Sequence, residues 1–235
     1  PTRRSSDLMG LVSEVFSKET LASLEGQMSV AHVRYSTAGG SVPENAQPLV
    51  MRYVKGVLAI AHNGNLTNAV EIRKELEHRG AIFQTTIDSE VIAYLIARER
   101  VHSHSVEAAV SAAMKQLDGS YSLLVMSPRK LIAARDPHGF RPLCMGKLEG
   151  SYVFASESCA LDAAGAEFVR DIEPGEIVVV DDRGITSIKD NCPKESKKSL
   201  CVFEYIYFAR TDSIIDGNGV YESRKEAGRI LAREF

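Results

Sequence analysis

The sequence has few cysteines, no long apolar run and no signal peptide. Its four cysteines form no CxxC pair, which suits a reducing cytosol better than a disulfide framework. No apolar run approaches the roughly 20 residues that a membrane helix needs. The basic residues near the start are not followed by the apolar stretch of a signal peptide. These absences predict a cytoplasmic protein that does not enter a membrane.

The sequence also lacks an excess of basic charge. Its formal net charge is -3, with 28 basic and 31 acidic side chains, whereas a general nucleic-acid or anionic-membrane binder needs a basic excess. Hydrophobic residues make up 44% of the chain and charged residues 25%, which is ordinary for a globular protein able to bury a sizeable core. We therefore expect neither a nucleic acid nor a membrane as a partner.

Both ends of the sequence look cut. Residues 1–8, PTRRSSDL, resemble one reading frame of a sequencing-library adapter, and we interpret them as non-native. The other end, at Phe235, falls in the middle of a helical pattern. The sequence is therefore interpreted as an internal fragment of a longer protein.

The first half of the chain is predicted to be mainly helical. Alternation from Ser29 to Tyr35 predicts a half-buried strand, and residues 57–61 predict a second strand that ends in a turn at residues 62–65. Three helices are then expected, because each start has a residue type that caps helices. The proposed caps are Asn68, Asp88 and Ser105.

From residue 120 to residue 188 the pattern changes to short strands separated by turns. Residues 191–199 look like an exposed connector. Strand hairpins with segregated helices are typical of an α+β domain in which sheets pack against helices.

Three polar positions lie where a strand or a helix ends. The guanidinium of Arg34 precedes a glycine-rich loop and is a ready bidentate partner for a carboxylate. At Asn63 and Gly64, a side-chain amide and a backbone N–H can converge on one oxygen, as in an oxyanion hole. Asp88 can bind an ammonium group at a helix start. The structural alternatives are an ion pair, a hairpin turn and a plain helix cap, respectively.

Two further polar segments are interpreted as structural. The charged turn at residues 135–142 is expected to be locked by an internal ion pair between an arginine and the aspartate of the turn. The segment at residues 156–160, SESCA, is not a G-x-S-x-G elbow and has no evident histidine partner, so a helix cap is expected there.

The motifs together resemble a known family. HVRYSTAGG at residues 32–40, HNGNL at 62–66 and DSE at 88–90 resemble the glutamine-binding motifs of amidotransferases with an N-terminal nucleophile. The HVRY form and CVFEYIYFAR at residues 201–210 are similar to amidophosphoribosyltransferases, which begin purine synthesis. The likeness covers nearly everything from residue 9 to residue 235, in that family's order.

The resemblance implies a fold and a domain division. The fold is the α+β, four-layer αββα sandwich with antiparallel sheets that N-terminal-nucleophile (Ntn) hydrolases share. Residues 9–190 would form the glutamine amidotransferase domain without its first segment. Residues 191–235 would form a connector and the start of the phosphoribosyltransferase domain.

The resemblance also implies residue roles. Arg34 would bind the α-carboxylate of L-glutamine, and Asp88 would bind its α-ammonium group. The Asn63 side chain and the Gly64 N–H would hold the oxyanion formed at the amide carbon. The loop expected to line the same pocket contributes Thr37 and Gly39.

Other implied parts involve more than this sequence. The family's nucleophile is a cysteine at the mature N-terminus, and the first cysteine here is Cys144, so the chain as given is expected to be inactive. The full-length enzyme would pass ammonia to phosphoribosyl pyrophosphate, use Mg²⁺ in its transferase domain and form a homo-oligomer. In some members the cysteine at the position of Cys201 binds a [4Fe-4S] cluster, and a buried free thiol is the alternative.

Two other functions stay open. The first is another class II amidotransferase, of the hexosamine-phosphate synthase or asparagine synthetase type, against which the motif at residues 201–210 argues. The second is a non-catalytic glutamine-binding module.

Overall fold

The computed structural model describes residues 10–34, 39–194 and 198–234. Its contacts divide the chain into two compact units. The first unit takes its residues from Pro1–Gly119, Leu123–Ile132 and Asp181–Gly184, and the second from Ser120–Ser122, Ala133–Val180 and Ile185–Phe235. The domain boundary expected between residues 190 and 191 stays a prediction, as does the non-native origin of residues 1–8, which lie outside the described residues.

The elements up to residue 114 are mainly helical, as predicted. They are α1 Val12–Val15, α2 Lys18–Ala22, a 3₁₀ turn Pro43–Asn45, β1 Leu49–Tyr53, β2 Gly56–Leu66, α3 Ala69–His78, α4 Asp88–His102 and α5 Val106–Met114.

The following elements are mainly strands. They are β3 Gly119–Ser127, β4 Lys130–Arg135, β5 Cys144–Leu148, β6 Ser151–Ala155, α6 Ser158–Ala164, β7 Glu167–Asp171, β8 Ile177–Asp181, β9 Gly184–Ile188, a π-helix Glu204–Phe208, β10 Ile214–Ile215, β11 Asn218–Gly219 and α7 Val220–Glu234.

The strands form antiparallel pairs wherever their register is defined. Leu49 of β1 lies opposite Ile60 of β2, and β5 pairs with both β6 and β7 in the same sense. The strand orders are β1-β2-β3-β4-β8-β9, β6-β5-β7 and β10-β11. Helices beside antiparallel sheets are the α+β arrangement that the sequence predicts.

Helix α4 is the most buried helix of the first unit. Ile92 and Ile96 are fully buried, and the polar residues Ser89 and Glu90 in its first turn are 1% and 3% exposed. The helix packs against α3, α5, β1 and β2. Its first turn is therefore held on several sides, which suits a position that must orient a side chain.

Two strand predictions were wrong in detail. Residues 29–34 alternate in exposure as a strand does, but this stretch has no regular strand structure. The turn expected at residues 62–65 is not there, because β2 continues through it to Leu66. An Asn-Gly pair favours a hairpin only locally, and here the chain stays extended with φ of +153° at Gly64.

The helix caps were predicted with mixed success. Ser105 caps α5, since its side chain accepts a hydrogen bond from the Ala108 N–H. Asn68 lies at the N-cap of α3, but its side chain bonds to Gln116 and Asp118 instead. Asp88 is not a cap: the N-cap of α4 is Ile87, and Asp88 is the first helical residue. The predicted N-cap role of Asp88 was therefore wrong by one position.

The expected internal Arg–Asp pair was also wrong, because both arginines of this turn pair with residues outside it. The Asp136 carboxylate accepts hydrogen bonds from the N–H groups of His138 and Phe140, so it closes its own turn. Arg135 instead forms an ion pair with Asp216, at 2.9 Å from Nη2 to Oδ2. The pairing partner lies far along the chain, where a local pattern gives no signal.

The expected cap at residues 156–160 has a different role. Glu157 is the N-cap residue of α6, but its side chain makes no capping bond. Its Oε2 accepts hydrogen bonds from the Arg210 N–H at 2.8 Å and from Ser213 Oγ at 2.7 Å, and Ser158 Oγ accepts one from the Ile214 N–H. The segment therefore anchors residues 210–214 within the second unit.

Candidate functional site

Arg34 contacts the glycine-rich segment that follows it. Its Nη2 donates to the Gly39 carbonyl at 3.2 Å, and its Nη1 donates to the Gly40 carbonyl at 3.1 Å. Gly39 has a φ of +75°, and a Cβ there would lie 2.7 Å from Thr86 Oγ1. Only glycine therefore lets this segment approach the residues before α4. Thr37, predicted to line the same pocket, lies outside the described residues.

Asn45 joins this segment to the start of α4. Its side chain is buried, with the residue 1% exposed, and Nδ2 donates to the Gly40 carbonyl at 2.8 Å and to Thr86 Oγ1 at 2.9 Å. Its Oδ1 accepts from the Thr86 N–H at 3.0 Å. The sequence analysis missed this residue, because an asparagine in a Pro- and Gly-rich stretch is usually a turn former.

Asp88 faces the end of strand β2. Its Oδ2 accepts a hydrogen bond from the Leu66 N–H at 2.9 Å, and its Oδ1 lies 3.6 Å from His62 Nδ1. Burial alone would raise the pKa of Asp88, but the hydrogen bond and charge of His62 and the N–H groups of Leu66 and Ser89 outweigh it and lower the pKa. The carboxylate is therefore ionised at neutral pH, as binding of an ammonium group requires.

Asn63 and Gly64 lie in β2 between His62 and the residue that Asp88 contacts. Both are half-buried, and no side-chain hydrogen bond of Asn63 to another residue of the described ranges is seen. The strand that carries the predicted oxyanion-binding groups is thus the strand to which Asp88 is attached.

Glu90 fixes the turn that precedes Asp88. Its Oε1 accepts from the Gln84 N–H at 2.8 Å, and its Oε2 accepts from the N–H and the hydroxyl of Thr85, both at 2.7 Å. Glu90 is the third residue of α4, which is the glutamate position of a capping box. That signal was present in the DSE motif, although the sequence analysis gave Glu90 no role.

His32 is neutral at physiological pH. Burial, with smaller contributions from the charges of His62 and Arg34, lowers its pKa to about 4. The Arg34 guanidinium next to His32 is a fixed positive charge, which favours an anionic group of a ligand.

The first comparison is with protein families. A model described as a glutamine amidotransferase domain matches residues 32–163. The chain belongs to this family. The matched range contains Arg34, Gly39, Asn63, Gly64 and Asp88, so every predicted glutamine-site residue that the structure describes lies in the glutamine amidotransferase domain.

Comparison with individual proteins shows which kind of amidotransferase the chain resembles. The chain is 46% identical over 226 residues to the amidophosphoribosyltransferase of Archaeoglobus fulgidus, covering 96% of this chain and 49% of that protein. It is 43% identical over 226 residues to the amidophosphoribosyltransferase of Bacillus subtilis, covering 96% of this chain and 47% of that protein. The chain thus spans about half the length of these relatives. The predicted likeness to amidophosphoribosyltransferases is confirmed.

Two solved structures resemble the glutamine amidotransferase domain. One is the glutamine phosphoribosylpyrophosphate amidotransferase of B. subtilis in complex with ADP and GMP, with a TM-score of 0.79 and 42% identity over 87% of this chain and 43% of that one. The other is described as the allosteric regulatory enzyme of purine biosynthesis, with a TM-score of 0.80 and 44% identity over the same shares. These likenesses confirm the predicted fold class, the α+β αββα type of Ntn hydrolases.

Cys201 is the first residue of the motif at residues 201–210 and is half-buried, with its N–H donating to the Phe140 carbonyl. Within residues 10–34, 39–194 and 198–234, no group of three or more His, Cys, Asp or Glu side chains could hold a metal. An iron–sulfur cluster needs about four such ligands, so these residues alone do not fit one, and a role for Cys201 as a single ligand stays a prediction. None of the helices in these ranges is long and apolar enough to cross a membrane.

Proposed function

We propose that this chain is the glutamine-recognition part of an amidophosphoribosyltransferase. The observation that carries the proposal is a hydrogen-bonded network centred on Asn45, which joins Gly40 to Thr86. At one end, Arg34 donates to the carbonyls of Gly39 and Gly40. At the other end, Asp88 follows Thr86 by two residues along the chain, and its carboxylate accepts a hydrogen bond from the Leu66 N–H.

The network suits an α-amino acid. A guanidinium and an ionised carboxylate held at a fixed separation complement an α-carboxylate and an α-ammonium group. In this proposal Arg34 binds the carboxylate of L-glutamine and Asp88 binds its ammonium group. Asn63 and Gly64 then provide an amide and an N–H for the oxyanion, and the predicted roles of Thr37 and Gly39 in binding glutamine are part of the same proposal.

The wider activity of the parent protein is part of the same proposal. Ammonia released from glutamine would react with phosphoribosyl pyrophosphate to give phosphoribosylamine, pyrophosphate and glutamate. The transferase domain would use Mg²⁺, and the protein would be a cytoplasmic homo-oligomer. Other class II amidotransferases are less well supported, because likeness to proteins named amidophosphoribosyltransferase extends over 96% of the chain.

Replacing Asp88 by asparagine should weaken L-glutamine binding by about tenfold or more, since a charge-assisted hydrogen bond contributes roughly 1.5–3 kcal/mol. Isothermal titration of the chain with L-glutamine measures the change. The same variant should lose little affinity for 4-carbamoylbutanoate, which is glutamine without its α-ammonium group. Asp118→Asn, at an exposed carboxylate, is the control. Equal L-glutamine affinity in the Asp88→Asn variant and the original chain would contradict the proposed role.

The 235-residue chain tested alone should release no glutamate from glutamine. Burial, followed by the charge of Asp171, raises the pKa of Cys144 to about 12, and burial also raises the pKa values of Cys159 and Cys192. These thiols are therefore protonated at neutral pH, whereas the nucleophile must be a thiolate. A glutamate-dehydrogenase assay checks this. Glutamate formation above that of an Asn63→Ala variant would show that the chain carries its own nucleophile.

A further inference from the structure

Asn45 is a buried amide with three hydrogen bonds, one within its own segment and two to a second segment. One segment contains Gly40, whose carbonyl accepts from Nδ2, and the other contains Thr86, which both accepts from Nδ2 and donates to Oδ1. The Asn45 and Thr86 positions are 41 residues apart in the sequence. Buried polar groups that are fully bonded specify one geometry, because any other arrangement leaves a donor or an acceptor unsatisfied.

Each of the two segments leads directly to one charged group of the proposed glutamine site. The carbonyls of Gly39 and Gly40 each accept a hydrogen bond from the Arg34 guanidinium. Thr86 lies two residues before Asp88, at the entrance to α4. Asn45 therefore connects the segment that binds Arg34 to the segment that leads into Asp88.

We propose that Asn45 is a positioning residue that fixes the separation between the Arg34 guanidinium and the Asp88 carboxylate. In that role it makes the site select ligands that carry a carboxylate and an ammonium group on the same carbon. The inference rests on the proposed function, since it assigns the two charged groups to one amino-acid ligand. Asn45 itself contacts neither group.

The close approach of the two segments supports this role. A Cβ at Gly39 would lie 2.7 Å from Thr86 Oγ1 and 3.2 Å from Asn45 Nδ2, so the segments are in direct contact around the amide. An aspartate at position 45 keeps the acceptor for the Thr86 N–H. It replaces the donor by a second oxygen, which would face the Gly40 carbonyl and repel it.

The test compares ligand selectivity in Asn45→Asp with that of the original chain by isothermal titration. The ligands are L-glutamine, 4-carbamoylbutanoate, which lacks the ammonium group, and 4-aminobutanamide, which lacks the carboxylate. We expect L-glutamine affinity to fall about tenfold or more, as for the loss of a buried hydrogen bond that leaves an acceptor, the Gly40 carbonyl, unmatched. Affinity for each single-charge analogue should change by much less, because only the two-point match depends on the separation.

Asn68→Asp is the matched control. Asn68 makes a similar set of bonds, with Nδ2 donating to the Gln116 carbonyl and to Asp118 Oδ2, and Oδ1 accepting from the Asp118 N–H. Its substitution should lower the melting temperature without changing the preference for L-glutamine over the two analogues. A second, milder variant is Thr86→Val, which removes only the hydroxyl acceptor. Like Asn45→Asp, it should lower the affinity for L-glutamine relative to the two analogues.

Two outcomes would overturn the inference. One is an unchanged ratio of L-glutamine to analogue affinity in both Asn45→Asp and Thr86→Val. The other is measured by hydrogen exchange without ligand. The exchange rate of the backbone amides should rise in residues 39–45 and 84–88 of Asn45→Asp, and it should not rise in residues 66–70 and 116–118. An unchanged rate in the first two segments would show that Asn45 does not hold them together. If the original chain fails to bind L-glutamine, the proposed function fails, and the exchange experiment still decides whether Asn45 couples the segments.

Discussion

Replacing Asp216 by asparagine is expected to lower the free energy of unfolding by about 3–5 kcal/mol, because it leaves a buried guanidinium without its counter-charge. The Arg135 side chain is 0% exposed and the Asp216 side chain 7% exposed. The pair is bidentate, with Nη2–Oδ2 at 2.9 Å and Nη1–Oδ1 at 3.2 Å. Arg135 also donates to the carbonyls of Gly139, Arg141 and Ile172, so it cannot move out to solvent without breaking the second unit.

The substitution isolates the charge because asparagine suits the backbone at this position. Asp216 has a φ of +48°, and asparagine tolerates the left-handed region almost as well as glycine does. Urea unfolding measures the change. The control is Asp212→Asn, whose partner Arg210 is 68% exposed while Asp212 is 54% exposed, and an exposed pair should contribute about 0–1 kcal/mol. Equal losses of unfolding free energy in the two variants would show that the burial of Arg135 does not set the contribution of the Arg135–Asp216 pair to stability.

The stability lost in Asp216→Asn should depend on pH. Burial alone would raise the pKa of Asp216, but its bonds to Arg135 and Lys198 outweigh burial and lower the pKa. A carboxyl group with a lowered pKa stabilises the fold fully above its unfolded value of about 3.9, and this contribution is lost as the pH falls through the lower folded value. Asp216→Asn should therefore lose most stability at neutral pH and differ least from the original chain in strong acid.

The Arg135–Asp216 pair also shows why part of the fold could not be predicted. Alternation and turn residues predicted the strands from residue 120 onward, since those signals lie within a few residues of each other. The partner of Arg135 lies 81 positions away, and the adjacent Asp136 offered a more obvious local pair. The local sequence therefore indicates that a charged side chain such as Arg135 forms an ion pair, but tertiary contacts determine its partner.

The candidate site likewise contains residues that the sequence predicts and residues that it does not. Residues with distinctive chemistry in a motif, namely Arg34, Asn63 and Asp88, were predicted from the sequence. Asn45 and Glu90, which hold their surroundings in place, were not given roles. The partner of Asn45 lies 41 residues away, where a local pattern gives no signal, and the DSE motif shows Glu90 without showing that it binds Gln84 and Thr85. The Asn63-Gly64 pair was placed in a turn because its local preference is for one, whereas the extended β2 strand continues through it.

Replacing Gly175 by alanine should be among the most destabilising single changes in the second unit. Gly175 is buried with a φ of +77°, and a Cβ there would lie 2.2 Å from the Asn191 carbonyl oxygen and 2.8 Å from the Cys192 Cα. Its N–H also donates to the carbonyls of Arg135 and Asp136. Because the obstructing atoms belong to the backbone, no rotamer change can relieve the contact. We expect a loss of about 4 kcal/mol or more, which is the range of severe steric mutations.

Gly165→Ala separates backbone strain from steric conflict. Gly165 has nearly the same φ, +71°, but a Cβ there meets nothing within 4 Å. Its replacement should cost only the left-handed penalty of about 1–2 kcal/mol, and urea unfolding of the two variants side by side gives the difference. Shortening the neighbouring side chain by Asn191→Gly should not rescue Gly175→Ala, since the clash is with the carbonyl group and not with the side chain. A rescue by that change, or equal losses at the two glycines, would mean that the turn at residues 173–176 can move away from residues 191–192.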